Sequence, residues 1–381
     1  MKKILMFYVL AGEGHLSICK SIRDALNVHF PNLFNIKIED AIPPKDKILK
    51  FISEDTYQFL SAYATPIYGA IYYLSHLNLI DFLNTEAVTQ RIYKYLLKKI
   101  KEYNPDLIII SHPLIIKAVK KAVLKSGLNP YIINTVLDLN PGPWYFVDKD
   151  IYSLVPNNEI KEIAINKFKI PNNNIIIAPP PLKKEFYEIW TSEERKIHKT
   201  KLGFNPDHKI ILLAGGGVGL PYGEFIFKEI LRLDIDIDIA LVSGRNNLLK
   251  KNALKIEKIY NKNPNRVVKV YGFIDFMPEL MHCSDLVITK AGYSGIFEAL
   301  TLRKPLIISY YILGQETGNA NFIKKNKVGF VIKSSKKVAK KAKEIVMNEK
   351  LALELRQNIL NLKIENGYEI ISNFIYNLLK N

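Results

Sequence analysis

Apolar residues along this chain fall in short runs separated by amphipathic stretches, and the alternation repeats from one end to the other. Runs at 4–10, 107–111 and 131–136 lack a strict polar-apolar alternation, which predicts strands covered on both faces. Residues 16–29 carry apolar positions at helical spacing, and further strands are expected at 34–38 and 151–154. A second series follows, with strands at 209–214, 237–243, 267–271, 286–289, 306–309 and 329–332 and helices at 224–231 and 248–261. Strand and helix in turn imply an α/β fold with parallel, doubly wound sheets. Between the two series, Ala178-Pro179-Pro180-Pro181-Leu182 suits neither a helix nor a central strand, so it reads as a linker that runs on to about Trp190. The boundary is set at 1–186 and 187–365. A helical region from 336 to 379 breaks at Asn366-Gly367, and its last part, 366–381, can cross back to complete the first domain.

Residues 51–103 interrupt the first series with a mostly helical, aromatic-rich stretch. Two roles fit it: long helices packed on the sheet, or an amphipathic lip that meets lipid, since aromatic rings suit the headgroup boundary. No segment reaches the roughly 18 apolar residues of a spanning helix, so membrane contact is expected to be peripheral. The opening run ends in a glycine loop without a cleavage pattern and reads as a core strand, not a signal peptide.

Composition narrows the partners. Lysine and arginine number 54 against 37 acidic residues, for a net charge of +17. That balance favours anions, whether nucleotide phosphates or an acidic membrane surface, and no nucleic-acid recognition module accompanies it. The only cysteines, Cys19 and Cys283, form no C-x-x-C pair, so neither a disulfide scaffold nor a zinc cluster is expected.

Candidate chemistry gathers where strands meet glycine turns. Gly12-Glu13-Gly14-His15 follows the first strand; glycines let a ligand approach the backbone, and a helix N-terminus favours negative charge. His15 is either a base or acceptor contact, or a capping residue. His112 follows the run DLIIIS and either binds the acceptor or organises the site, or is a satisfied structural histidine; Asp138 follows IINTVL within LDLNPGPW. Asp138 either orients His15 or an acceptor hydroxyl, or accepts backbone hydrogen bonds in its turn. In the second series, Gly215-Gly216-Gly217-Val218-Gly219 can cradle a diphosphate, and it lacks the G-K-[ST] ending of the common triphosphate loop. Phe273 and Ile274 lie beyond a strand, where they can flank a planar base or simply pack. Gly292-Tyr293-Ser294-Gly295 joins a strand to a helix; Ser294 is either near phosphate or the helix N-cap. Glu298 suits ribose hydroxyls, or else merely complements the helix dipole. Gln315, Glu316 and Asn319 suit sugar hydroxyls, or else feed a capped helix.

Taken together, GGGVGLPYG, LVSGRN, VYGFIDFMPELMHCSDLVITKAGYSGIFEAL and GQETGNANFI resemble the monogalactosyldiacylglycerol synthase and processive diacylglycerol glucosyltransferase family, within glycosyltransferase family 28. More distantly they resemble the N-acetylglucosaminyltransferase of peptidoglycan precursors. GEGHLSICKSIRDAL and IISHP match the family's first and second histidine segments, and the resemblance covers most of residues 3–332. It implies a GT-B fold, two Rossmann-like domains facing across a cleft, and an inverting, metal-independent transfer of a hexose from a UDP-sugar to a lipid, with no cofactor. The N-terminal domain would take the acceptor through Gly14, His112 and Trp144, with His15 and Asp138 catalytic. The C-terminal domain would hold the donor through Gly216, Gly217, Phe273, Ile274, Gly292, Ser294, Gly295, Glu298, Gln315, Glu316 and Asn319. The implied setting is the cytoplasmic face of the cell membrane. Family members commonly place a histidine between the equivalents of Asp138 and Trp144, and this chain has none. Two rival readings are a UDP-sugar 2-epimerase, which would alter donor without acceptor, and a noncatalytic nucleotide-sugar or lipid-binding protein, which would bind without turnover.

Overall fold

The computed structural model describes residues 1–10, 14–46, 49 and 78–380. Most of the aromatic segment assigned to a lipid lip, 51–77, lies outside the described residues, as do Gly12 and Glu13. The chain divides into two compact units: residues 1–183 with 313–315 and 365–381, and residues 184–312 with 316–364.

Unit 1 runs β1 (Lys2–Tyr8), α1 (Gly14–His29), β2 (Phe34–Asp40), α2 (Asn78–Tyr103), β3 (Leu107–Ile110), α3 (Ile116–Ser126), β4 (Tyr131–Thr135), β5 (Tyr152–Val155), α4 (Asn158–Asn166) and β6 (Ile175–Ile177). The six strands form one parallel sheet in the order β2-β1-β3-β4-β5-β6. Successive side chains of a strand point to opposite faces, and here both faces are apolar and covered. Leu5, Phe7, Ile108 and Ile110 pack with Ile92, Leu96 and Ile100 of α2. Ile4, Met6, Leu107 and Ile109 pack instead with Ile18, Ile22 and Leu26 of α1.

Unit 2 runs α5 (Ser192–Lys201), β7 (Lys209–Ala214), α6 (Gly223–Leu231), β8 (Ile237–Val242), α7 (Asn247–Tyr260), β9 (Val268–Tyr271), α8 (Met277–Cys283), β10 (Leu286–Lys290), α9 (Tyr293–Thr301), β11 (Leu306–Tyr310), α10 (Thr317–Lys325), β12 (Gly329–Val331), α11 (Ser335–Met347) and α12 (Glu349–Asn361). Its parallel sheet has the order β12-β11-β10-β7-β8-β9. Asp285 fixes β10 beside β7: its carboxylate accepts from the Ile210 N–H at 2.9 Å and pairs with Arg195 at 2.7 Å.

The last helix, α13 (Gly367–Lys380), belongs to unit 1. Ile371, Ile375 and Leu379 enter the α1 face of that core. Phe30 and Tyr376 stack with ring centroids 4.2 Å apart, and His29 hydrogen-bonds the Ser372 hydroxyl at 2.7 Å. Gly367 lies so close to the Pro179 carbonyl that a Cβ there would overlap it.

Candidate active site

In an open parallel sheet, ligands bind outside the carboxyl ends of the strands where the winding direction reverses. Unit 1 reverses between β1 and β3, because β2 lies on one side of β1 and β3 on the other. Gly14 and His15 open α1 after β1, and Ser111 and His112 follow β3, so residues nearly a hundred positions apart meet at that point. The ring centroids of His15 and His112 are 4.5 Å apart, tilted by 55°.

Backbone groups set the proton positions on both rings. His15 Nδ1 contacts the Ser111 carbonyl oxygen, which can only accept, so Nδ1 carries the proton and Nε2 keeps its lone pair. His112 Nδ1 accepts from the Leu114 N–H at 3.3 Å, so its proton sits on Nε2. Burial pulls the His15 imidazole down from 6.5 to about 4, against the Ser111 hydrogen bond, which favours the charged ring. Burial, with the neighbouring His15, holds His112 well below its usual value too. The pair is therefore neutral near pH 7 and offers one lone-pair nitrogen and one N–H. Cys19, also nearby in this core, is pushed up to about 12 chiefly by burial and is no nucleophile at neutral pH.

Asp138 is buried, and one of its oxygens accepts from the Asn140 N–H at 3.0 Å, the turn-forming arrangement. The loop beyond is tied back to β4 by Asn134, whose amide donates to the Tyr145 carbonyl at 2.9 Å. Trp144 folds over Gly142 so closely that a Cβ on that glycine would overlap the indole.

Unit 2 reverses between β7 and β10. Beyond β7, Gly216 and Gly219 adopt φ of 75° and 79°, and the Gly219 N–H closes a turn onto the Gly216 carbonyl at 3.0 Å. The loop after β8 buttresses it: the Arg245 N–H donates to the Gly217 carbonyl at 2.8 Å, and Gly244, at φ 59°, has no room for a Cβ beside that carbonyl. The Arg245 guanidinium lies 4.8 Å from the ring centroid of Phe273, which is 57% exposed; Ile274 beside it is half-buried.

Beyond β10, Gly292 is the N-cap of α9 and gives its first turn no side-chain cap. Ser294 therefore lies inside the helix and is not the N-cap; the extended backbone at Gly292, φ −70° and ψ 132°, starts the helix two residues earlier. The amides of the N-cap Gly292 and of the first turn, Ser294 and Gly295 among them, are the ones a helix leaves without an intrahelical partner. Glu298 is half-buried, four residues after Ser294 and so on the same face of α9. Glu316, 6% exposed, precedes α10, and one of its oxygens accepts from the Ile312 N–H at 2.9 Å. Asn319 donates to the Ala291 carbonyl at 2.9 Å, tying α10 to the turn before α9. Gln315 is half-buried beside Glu316.

Two features were not legible as site residues. Lys290, the last residue of β10, pairs with Glu316 at 3.5 Å; a charged residue ending an apolar strand just before a glycine turn was the signal for it. Ser111 acts through its carbonyl, which no residue type reveals. Among the described residues, no cluster of three or more His, Cys, Asp or Glu is placed to hold a metal ion, and no helix is long and apolar enough to cross a membrane.

Two Rossmann-like units, each with its polar groups at the reversal of its sheet, define the GT-B class of fold. The profile of the monogalactosyldiacylglycerol (MGDG) synthase family matches residues 15–181, and that of the glycosyltransferase family 28 C-terminal domain matches residues 211–371. At family level the chain thus groups with the MGDG synthases and processive diacylglycerol glucosyltransferases. The chloroplastic MGDG synthase of Spinacia oleracea is 28% identical over 349 residues, 89% of this chain and 65% of that protein. The processive diacylglycerol beta-glucosyltransferase of Bacillus licheniformis is 24% identical over 375 residues, 97% of this chain and 93% of that protein. The crystal structure of MurG from Acinetobacter baumannii superposes with a TM-score of 0.63 at 12% identity, covering 99% of this chain and 100% of that one, a likeness of fold. The chain spans just under two thirds of the plant relatives it matches, 65% of the spinach protein and 63% of the tobacco one.

Proposed function

We propose that the protein is an inverting glycosyltransferase that moves a hexose from a UDP-sugar to a hydroxyl of a lipid, by preference a glycerolipid. The observation that carries this reading is the fixed tautomer of His15, whose Nε2 lone pair stands at the sheet reversal of unit 1. The family-level match suggests the reaction class, and the glycine loop and α9 N-terminus of unit 2 supply anion-binding chemistry.

In the proposed reaction the acceptor oxygen attacks the anomeric carbon from the side opposite the leaving group. As that C–O bond forms, the bond from the anomeric carbon to the β-phosphate oxygen breaks and its electron pair leaves with UDP. The acceptor proton passes to His15 Nε2. A base held near pKa 4 is weak, so it takes the proton late, once bond formation has made the acceptor oxygen acidic. The His112 Nε2–H can donate to the same oxygen and orient it, and Asp138 steadies the loop that carries Trp144. Gly216, Gly217 and the α9 amides of Gly292, Ser294 and Gly295 face the diphosphate. Phe273 and Ile274 flank the base, Glu298 takes the ribose, and Gln315, Glu316 and Asn319 read the sugar. The basic surface favours an anionic membrane, on which a peripheral enzyme would meet its lipid at the cytoplasmic face.

A mass-resolved transfer assay with a panel of UDP-sugars and glycerolipids, alongside donor-only samples, tests the proposal. A glycosylated lipid is the expected product. Epimerised sugar in the donor-only sample, or UDP binding without turnover over the whole panel, would overturn it.

A further inference from the structure

The departure of UDP leaves an additional negative charge on the β-phosphate oxygen, and some group must neutralise it. The geometry points to Lys290 as that group: a catalytic cation shared between Glu316 in the free protein and the leaving diphosphate in the donor complex. The inference rests on the donor site proposed above and adds to it a residue and a role.

Topology places Lys290 at the reversal itself. β10 is the strand flanked by β7 and β11, so its last residue emerges between the glycine loop and the loop that carries Glu316. The side chain then crosses the start of α9. A Cβ on Gly292 would lie 3.4 Å from Lys290 Cε and 3.9 Å from Glu316 Oε1, so ammonium, carboxylate and helix N-cap share one small space. The lysine side chain keeps 25% of its surface exposed, and Lys290 Nζ stands 3.5 Å from Glu316 Oε1.

The two charges do not need each other equally. Glu316 is already held by the Ile312 N–H through its other oxygen, whereas the ion pair to Lys290 is longer than a good charge-assisted hydrogen bond. Amides of the α9 first turn can grip phosphate oxygens, but they carry only partial charge. A full cation beside them matches a leaving group that gains a full negative charge, and its effect is larger at bond breaking than in the ground state, which is what accelerates a reaction. As sugar hydroxyls take up hydrogen bonds to Glu316, the carboxylate loosens its hold on Lys290, which turns to the phosphate.

Calorimetry with UDP and with uridine, combined with transfer kinetics, tests this on wild-type, K290M, K290R and E316Q proteins. K290M is expected to bind UDP at least about tenfold more weakly and uridine unchanged, and to lose turnover by about 10²-fold, the cost typical of removing one group that stabilises developing charge. K290R retains most of both. E316Q, with the competing carboxylate gone, is expected to bind UDP more tightly while turning over the sugar donor more slowly. Equal losses of UDP and uridine in K290M would mark a structural lysine and overturn the inference, as would UDP affinity and turnover within about twofold of wild type. Weaker UDP binding by E316Q would do the same, and that variant keeps the question open to refutation if K290M fails to fold. Wild-type protein that binds neither UDP nor uridine would instead sink the donor-site reading from which this one starts.

Discussion

At the scale of residues, the most informative atom is a backbone carbonyl. Ser111 C=O decides which nitrogen of His15 can act, and burial decides that the ring stays neutral. H15A is expected to lower transfer by about 10²–10⁴-fold, the range for a lost general base, with UDP affinity nearly unchanged. The pH profile of kcat/KM should be flat through neutrality and fall only as pH drops through about 4. An acid limb near 6.5 would contradict a buried imidazole. The same shift acts on stability: between pH 6.5 and about 4 the unfolded chain binds a proton that the folded ring refuses, so stability falls as pH falls through that window. His15 and His112 were legible in sequence as polar residues at strand ends, but their meeting was not, because it depends on which strands are neighbours. Nor was the resting state of Glu316 and Asn319, both of which are engaged by groups of their own unit.

At the scale of elements, the strands of both sheets were readable because apolar runs buried on both faces have few other uses. β6 was missed: a three-residue strand between an Asn turn and a proline run gives almost no periodic signal. The C-terminal helical region shows a second break at Asn348, which ends α11 and caps α12 through the Leu351 N–H. The glycine loop was visible, but its buttress after β8 was not. Gly216 and Gly244 both have positive φ, yet a Cβ meets nothing within 4 Å at the first and collides with the Gly217 carbonyl at the second. G216A should cost only the left-handed strain, about 1–2 kcal/mol. G244A should cost that and the collision besides, and should weaken UDP binding. Chemical denaturation and calorimetry on the two variants separate these effects, and equal losses would mean that the two loops do not lean on each other.

At the scale of the whole molecule, the chain passes into unit 2 after residue 183 and, apart from the short stretch 313–315, comes back to unit 1 only at its last segment, with α13. Each of Ile371, Ile375 and Leu379 buries a side chain worth about 1.5–3 kcal/mol, so removing 367–380 forfeits a large part of the margin on which a domain of this size folds. Limited proteolysis of such a truncation should cut unit 1 first and leave unit 2 protected. Simultaneous loss of both units would show that α13 does more than complete one core. The sequence announced the helix break at Gly367, but not the reason for a glycine there, which is the Pro179 carbonyl against its Cα.

That return also orders events in time. On the ribosome, domains tend to fold as soon as their segments have emerged, first half before second. Here the helix that closes the first unit is made only after every strand of the second. Until that helix docks, the half bearing His15 lacks its cover along the face of α1, whereas the half bearing Lys290 needs nothing beyond residue 364. The core beneath His15 is therefore complete only once the chain has come back from the second unit.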